Sequence, residues 1–226
     1  MAHQLGLNLP SRTALGRDAF FVAPSNAMAM AMIDGWRGWA GGKLALTEPQ
    51  GSGKTHLTHV WADLSGARIV SAADLMEADI PALARGPVAV EDVHLIAGDD
   101  AAQTALFHLH NLVLAEGQAL LLTGTGPVAQ WGLTLPDLVS RMRGATMVEM
   151  EAPDDALLSA LLVKLLADRQ LTPKPELINY LMTRMDRSFA AAIALVDRLD
   201  AASLAQKRPL TRALAAQVLD IAPPHT

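Results

Sequence analysis

The sequence predicts an α/β fold: a parallel sheet flanked by helices and followed by a small all-helical subdomain. Three observations carry this expectation. Strand-length runs without polar alternation, such as Val88-Ala89-Val90 and Ala119-Leu120-Leu121-Leu122, recur between helical stretches, as strands buried on both faces do. A glycine-rich segment, Gly51-Ser52-Gly53-Lys54-Thr55, lies between one such run and a helical stretch. After Pro153 the strand signals cease. Leu157, Leu161 and Leu165, with Leu158, Leu162 and Leu166, then repeat at the spacing of an apolar helix face.

Each element follows from local signals. Met1–Pro24 has no sustained period and is punctuated by Pro10 and Pro24, so residues 1–24 read as an N-terminal arm. Ser25 and Asn26 offer an N-cap to a helix over Ala27–Trp39, ended by Gly41-Gly42. Leu44–Thr47 is a strand that leads through the glycine-rich segment into a helix over His56–Leu64. Arg68–Val70 is a short strand, and Ala72–Glu77 a short helix capped by Ser71. Val88–Val90 is a buried strand closed by Glu91-Asp92. Asp100–Ala115 is helical, Ala119–Leu122 a strand, Leu135–Arg143 helical and Thr146–Val148 a last strand. Residues 25–152 thus form the α/β unit. Residues 153–226 hold four helical segments: Asp155–Gln170, Pro175–Met185, Ser188–Gln206 and Thr211–Asp220.

Composition narrows the function. A chain of 226 residues buries about 70% of its unfolded surface and needs no disulfide or metal to fold. With 51% hydrophobic and 18% charged residues it is not a disordered chain. A net charge of −5 gives no global footprint for nucleic acid or an anionic membrane. The absence of cysteine excludes disulfides, Cys-ligated zinc and thiol nucleophiles. Aromatics at 4% argue against a base-stacking platform. His108 and His110 would face different ways on their helix, and His56 and His59 share a face without a further ligand, so no histidine metal site is expected. Met28, Met30 and Met32 are expected to pack or to face solvent. The apolar run Ala27–Ile33 is closed by Asp34, too short for a membrane span. Arg12, Arg17 and Asp18 leave no apolar core for a signal peptide. A cytoplasmic protein without membrane contact is the expectation.

The glycine-rich segment carries the chemistry. Glycines let backbone N–H groups turn inward around phosphate oxygens, and the following helix adds its orphan donors and positive dipole end. Pro49, Gln50, Gly51, Ser52, Gly53, Lys54, Thr55 and His56 therefore form a candidate nucleotide-binding segment. Lys54 would reach the terminal phosphates, and Thr55 would hold a magnesium ion. The full pattern starts with a glycine where this chain has Glu48. A carboxylate pointing inward there repels phosphate. Either Glu48 turns outward or nucleotide binding is weak. Glu91 and Asp92, at the end of a buried strand, sit where α/β sheets bind ligands. Glu91 would organise magnesium and Asp92 would orient an attacking water, with Thr125 of Thr123-Gly124-Thr125 as a further hydroxyl.

Taken together, these residues resemble the AAA+ nucleotide-binding proteins and, within them, the DnaA-related family in its regulatory, Hda-type form. The resemblance rests on Gly51-Ser52-Gly53-Lys54-Thr55-His56-Leu57, Glu91-Asp92, Thr123-Gly124-Thr125, Leu135-Pro136-Asp137-Leu138-Val139-Ser140-Arg141 and the helical lid from Asp154 onward. It implies ADP or ATP with Mg2+ as cofactor. It also implies that Arg141 acts as an arginine finger in a neighbour's nucleotide site. The family's lid usually presents a sensor arginine; Ala190 stands at that position here, with Arg187 one turn earlier as the nearest substitute. In the arm, Gln4-Leu5-Gly6-Leu7-Asn8-Leu9-Pro10 resembles the peptide that bacterial proteins insert into the sliding clamp of the replicative polymerase. Gln4 is the polar anchor, and Leu5, Leu7 and Leu9 are the apolar contacts.

The implied function is negative regulation of DNA replication initiation, by stimulating hydrolysis of DnaA-bound ATP on the clamp. The initiators' DNA-binding helix-turn-helix has no counterpart before Thr226, so contact with DNA is expected only through the clamp. Self-association is a further expectation of the AAA+ type. Glu48, Glu91 in a place where initiators carry Asp, and Ala190 together imply weak or absent ATP hydrolysis by the chain itself. Two alternatives stand beside this reading. One is an ATPase that remodels or loads a partner through Lys54, Thr55 and Asp92; the other is an adaptor with a degenerate nucleotide site.

Overall fold

Strand β1, Lys43–Glu48, is buried along its whole length, which requires a layer on each side of it. The computed structural model describes residues 22–48 and 53–220. Helix α1 (Ala27–Asp34) precedes β1, and α2 (Lys54–Ser65), β2 (Arg68–Ser71), α3 (Ile80–Leu83) and β3 (Val88–Glu91) follow it. Then come α4 (Asp100–Ala115), β4 (Leu120–Thr125), α5 (Pro136–Arg143) and β5 (Thr146–Glu149). The five strands form one sheet in the order β2-β3-β4-β1-β5, and every pairing is parallel.

Alternate side chains of each strand go to opposite faces, and each face has its own apolar layer. Val88, Val90, Leu120 and Leu122 pack with Leu106 and Leu109 of α4 and with Leu138 and Met142 of α5. Leu44, Leu46, Ala89 and Leu121 pack on the other face, with Leu57, Val60 and Trp61 of α2 and Met30 and Ile33 of α1. Met28 is exposed and Met30 buried. The helical segment after Pro153 forms α6 (Asp155–Asp168), α7 (Pro175–Met182), α8 (Phe189–Gln206) and α9 (Arg212–Asp220). These close on a third core that includes Leu158, Leu162, Leu166, Leu181, Leu195 and Leu199. Asp154 caps α6 by accepting the Leu157 N–H at 2.8 Å, which sets the start of this unit.

Several boundaries differ from expectation for local reasons. The helix predicted over Ala27–Trp39 stops at Asp34, with Gly35 as C-cap. Two short 3-10 turns follow; Trp39 between them stacks on Trp61 at 5.1 Å, and Trp36 in the first meets it edge-on at 6.2 Å. The helix predicted over Ala72–Glu77 is a 3-10 turn over Ala72–Asp74. Helix α3 is one turn long, too short for an apolar period, and starts on an Asp79 cap. Strand β4 runs on to Thr125, so Thr123-Gly124-Thr125 is strand, not the segment after it.

Candidate functional site

The C-terminal ends of β1, β3 and β4 lie side by side along one edge of the sheet. The register pairs Glu48 with Thr125 and Thr47 with Gly124, while Glu91 ends β3 opposite Ser71. Pro49, Gln50, Gly51 and Ser52 lie outside the described residues. The chain re-enters at Gly53, the N-cap of α2, with φ of 106°. That left-handed backbone favours glycine, and the ring of Phe189 from α8 stands 3.1 Å from where a Cβ would be.

Lys54 opens α2 and is buried. Its Nζ donates to Glu48 Oε1 at 2.6 Å, and its backbone N–H donates to Glu48 Oε2 at 3.1 Å. Both side chains are largely shielded from water, at 8% and 4% exposure. Glu48 therefore turns inward, which answers the question the sequence left open. Thr55, next on the helix, is exposed, and His56 is half-buried.

Across the edge, Glu91 Oε1 is shielded from solvent and has no hydrogen-bond partner. A carboxylate oxygen in that state is costly to bury, and it fits a cation-facing acid. Among the described residues no group of three or more His, Asp and Glu could hold a metal by itself. An ion here would need ligands from a nucleotide, with Thr55 and Glu91 as the protein's share. Asp92 has a left-handed backbone, φ 56° and ψ 45°, and its N–H donates to Thr123 Oγ1 at 3.3 Å. Thr123 thus meets the acidic strand end. The Thr125 N–H donates to Nδ1 of His94 at 3.3 Å.

Arg141 lies elsewhere. It is exposed in the last turn of α5, and its carbonyl accepts from Lys43 Nζ at 2.8 Å. Lys43 begins β1 and Glu48 ends it. A strand of that length spans about 17 Å, so the Arg141 backbone is anchored at the opposite edge of the sheet from Lys54. Arg187 precedes α8 and pairs with Asp155 at 2.5 Å, both side chains exposed. Such a pair contributes little to stability.

Residues 154–219 match the family model of the Hda lid domain. The fold is similar to domain III of the replication initiation protein DnaA from Thermotoga maritima, with a TM-score of 0.82, 18% identity, and coverage of 95% of this chain and all of that one. The chain thus joins a segment that matches an Hda-type lid to a fold similar to that of DnaA domain III. Two further solved structures share the fold. AMPPCP-bound DnaA from Aquifex aeolicus matches with a TM-score of 0.70 and 18% identity over 82% of this chain and 64% of that one. The Holliday junction branch migration motor RuvB from Thermotoga maritima matches with a TM-score of 0.69 and 17% identity over 91% and 71%. The lid match spans α6–α9, and Phe189 of α8 is its residue seated at Gly53, the N-cap of α2.

Sequence reasoning brought Lys54, Glu91 and Asp92 to one edge of the sheet. It missed the grip of Glu48 on Lys54, the contact of Phe189, and His94 on Thr125. Of these, only Glu48 left a signal, as a departure from the glycine pattern. Gln4, Leu5, Leu7 and Leu9 lie outside the described residues. No described helix is long and apolar enough to cross a membrane.

Proposed function

We propose that this protein is a negative regulator of replication initiation: it binds ADP or ATP with Mg2+, docks on the sliding clamp through Gln4, Leu5, Leu7 and Leu9, and stimulates hydrolysis of DnaA-bound ATP through Arg141. One observation carries the reading. On a DnaA-type fold with an Hda-type lid, Arg141 is exposed on an anchored helix at the opposite sheet edge from the chain's own phosphate-loop lysine. An arginine so placed is available to a neighbouring molecule rather than to its own nucleotide. Its guanidinium would stabilise charge on the phosphoryl group transferred in the partner's site. Lys54 and Thr55 would hold the chain's own nucleotide, and Phe189 would close the lid over the loop.

The test is hydrolysis of ATP on the cognate DnaA with DNA-loaded clamp. Wild type is expected to accelerate it, Arg141→Ala to lose about 10³-fold of that acceleration, and Gln4→Ala/Leu5→Ala to lose clamp dependence. Absence of acceleration by wild type sinks the regulator reading. The adaptor reading then gains, since the engagement of Lys54 by Glu48 already favours a modified nucleotide site. The same engagement counts against a partner-remodelling ATPase that turns over its own ATP.

A further inference from the structure

We infer that Glu48 is a resident anion of the nucleotide site, so that nucleotide binds by exchanging with the protein's own carboxylate. The inference rests on the reading of the glycine-rich loop as a nucleotide site and adds what sets its affinity. A phosphate-binding loop offers two kinds of donor at the start of its helix: backbone N–H groups left unpaired by the first turn, and the lysine ammonium. In this chain one carboxylate takes one of each. Glu48 Oε2 accepts the Lys54 N–H and Glu48 Oε1 accepts from Lys54 Nζ. The pair is buried, so its attraction is little screened by water.

The position of Glu48 is built into the sheet. Its residue is the last of β1, in register with Thr125, and its carbonyl accepts the Gly126 N–H at 2.9 Å. Lys54 is held in turn by α2, where its carbonyl accepts from Thr58 Oγ1 at 3.0 Å. The carboxylate and the ammonium therefore approach from two fixed elements. A phosphate that takes the same donors must displace the carboxylate, because two anions sharing one lysine repel each other. Breaking charge-assisted hydrogen bonds before new ones form lowers apparent affinity by about 10- to 100-fold. The same contact supplies the loop helix with a counter-anion of its own when no nucleotide is bound.

The experiment measures binding of ADP with Mg2+ by calorimetry to wild type, Glu48→Gln and Glu48→Gly, with circular dichroism to check folding. Glu48→Gln keeps the shape and a hydrogen-bond acceptor, so it guards against a Glu48→Gly variant that fails to fold. Both folded variants are expected to bind ADP at least about tenfold tighter than wild type. ADP should also raise the melting temperature of Glu48→Gln more than that of wild type, as tighter binding to the folded state requires. Equal or weaker binding by the folded variants overturns the inference and leaves the nucleotide site standing. Binding by none of the three proteins removes the nucleotide site itself and the exchange with it.

Discussion

Gly124 shows how a single residue ties the candidate site to its neighbours. It lies inside β4, and the indole of Trp131 packs directly on it: a Cβ would fall 2.4 Å from one ring carbon and 2.6 Å from two further ring atoms. Trp131 cannot easily yield, since it is 1% exposed and its Nε1–H donates to the Gly126 carbonyl at 3.1 Å. The glycine is there because of this approach and not because a turn needs it. Gly124→Ala should destabilise the protein by about 1–3 kcal/mol, the usual cost of overpacking. At this chain length each kcal/mol lowers the melting temperature by about 2–4 °C. An unchanged melting temperature would mean that Trp131 moves without cost.

Among the elements, α5 has the most consequential anchor. Its last-turn carbonyls have no helical partner, and Lys43 from the start of β1 serves the one on Arg141. The same ammonium faces Nε2 of buried His110 on α4 at 3.2 Å, while Nδ1 of His110 faces Asn111 Oδ1 at 3.2 Å. A neutral ring, donating from Nδ1 and accepting at Nε2, satisfies both contacts. Burial lowers the His110 pKa from 6.5; the Asn111 hydrogen bond acts against this, and the charges of Lys43 and Arg141 act with it. A histidine whose folded pKa is depressed binds fewer protons folded than unfolded between the two values. Its contribution to stability is therefore complete above 6.5 and is lost as pH falls through the lower folded value. Denaturation midpoints measured across this range should fall on the acid side in wild type and fall less in His110→Gln. Equal acid loss in both proteins would place the sensitivity elsewhere.

At the scale of the whole molecule, the lid is cored separately from the two layers of the α/β unit, and the buried residues of its core all come from α6–α9. Phe189 bridges them at Gly53, the N-cap of α2. Phe189→Ala should leave the lid core intact and loosen the start of α2. Amide hydrogen exchange there should speed up by about tenfold, the factor carried by about 1.4 kcal/mol of local stability. Exchange in α6 and α8 beyond the contact should stay as it is. Unchanged exchange at α2 would show that the lid does not brace the loop.

The sequence by itself determined the layers of this protein, because layers depend on periodicity. Unbroken apolar runs meant strands covered on both faces, and four-residue leucine spacing meant a unit of packed helices after Pro153. Those signals are local. What only the tertiary structure decided are meetings between distant segments: Lys43 with His110 and Arg141, Phe189 with Gly53, Trp131 with Gly124, and the order of the strands. Glu48 and Lys54 are near in sequence, yet the direction of the carboxylate was also settled in three dimensions. Periodicity records which face a residue takes and says nothing of its partner there. In a buried edge of low polarity, a charge is held where another charge meets it, and that depends on how strand and helix come together.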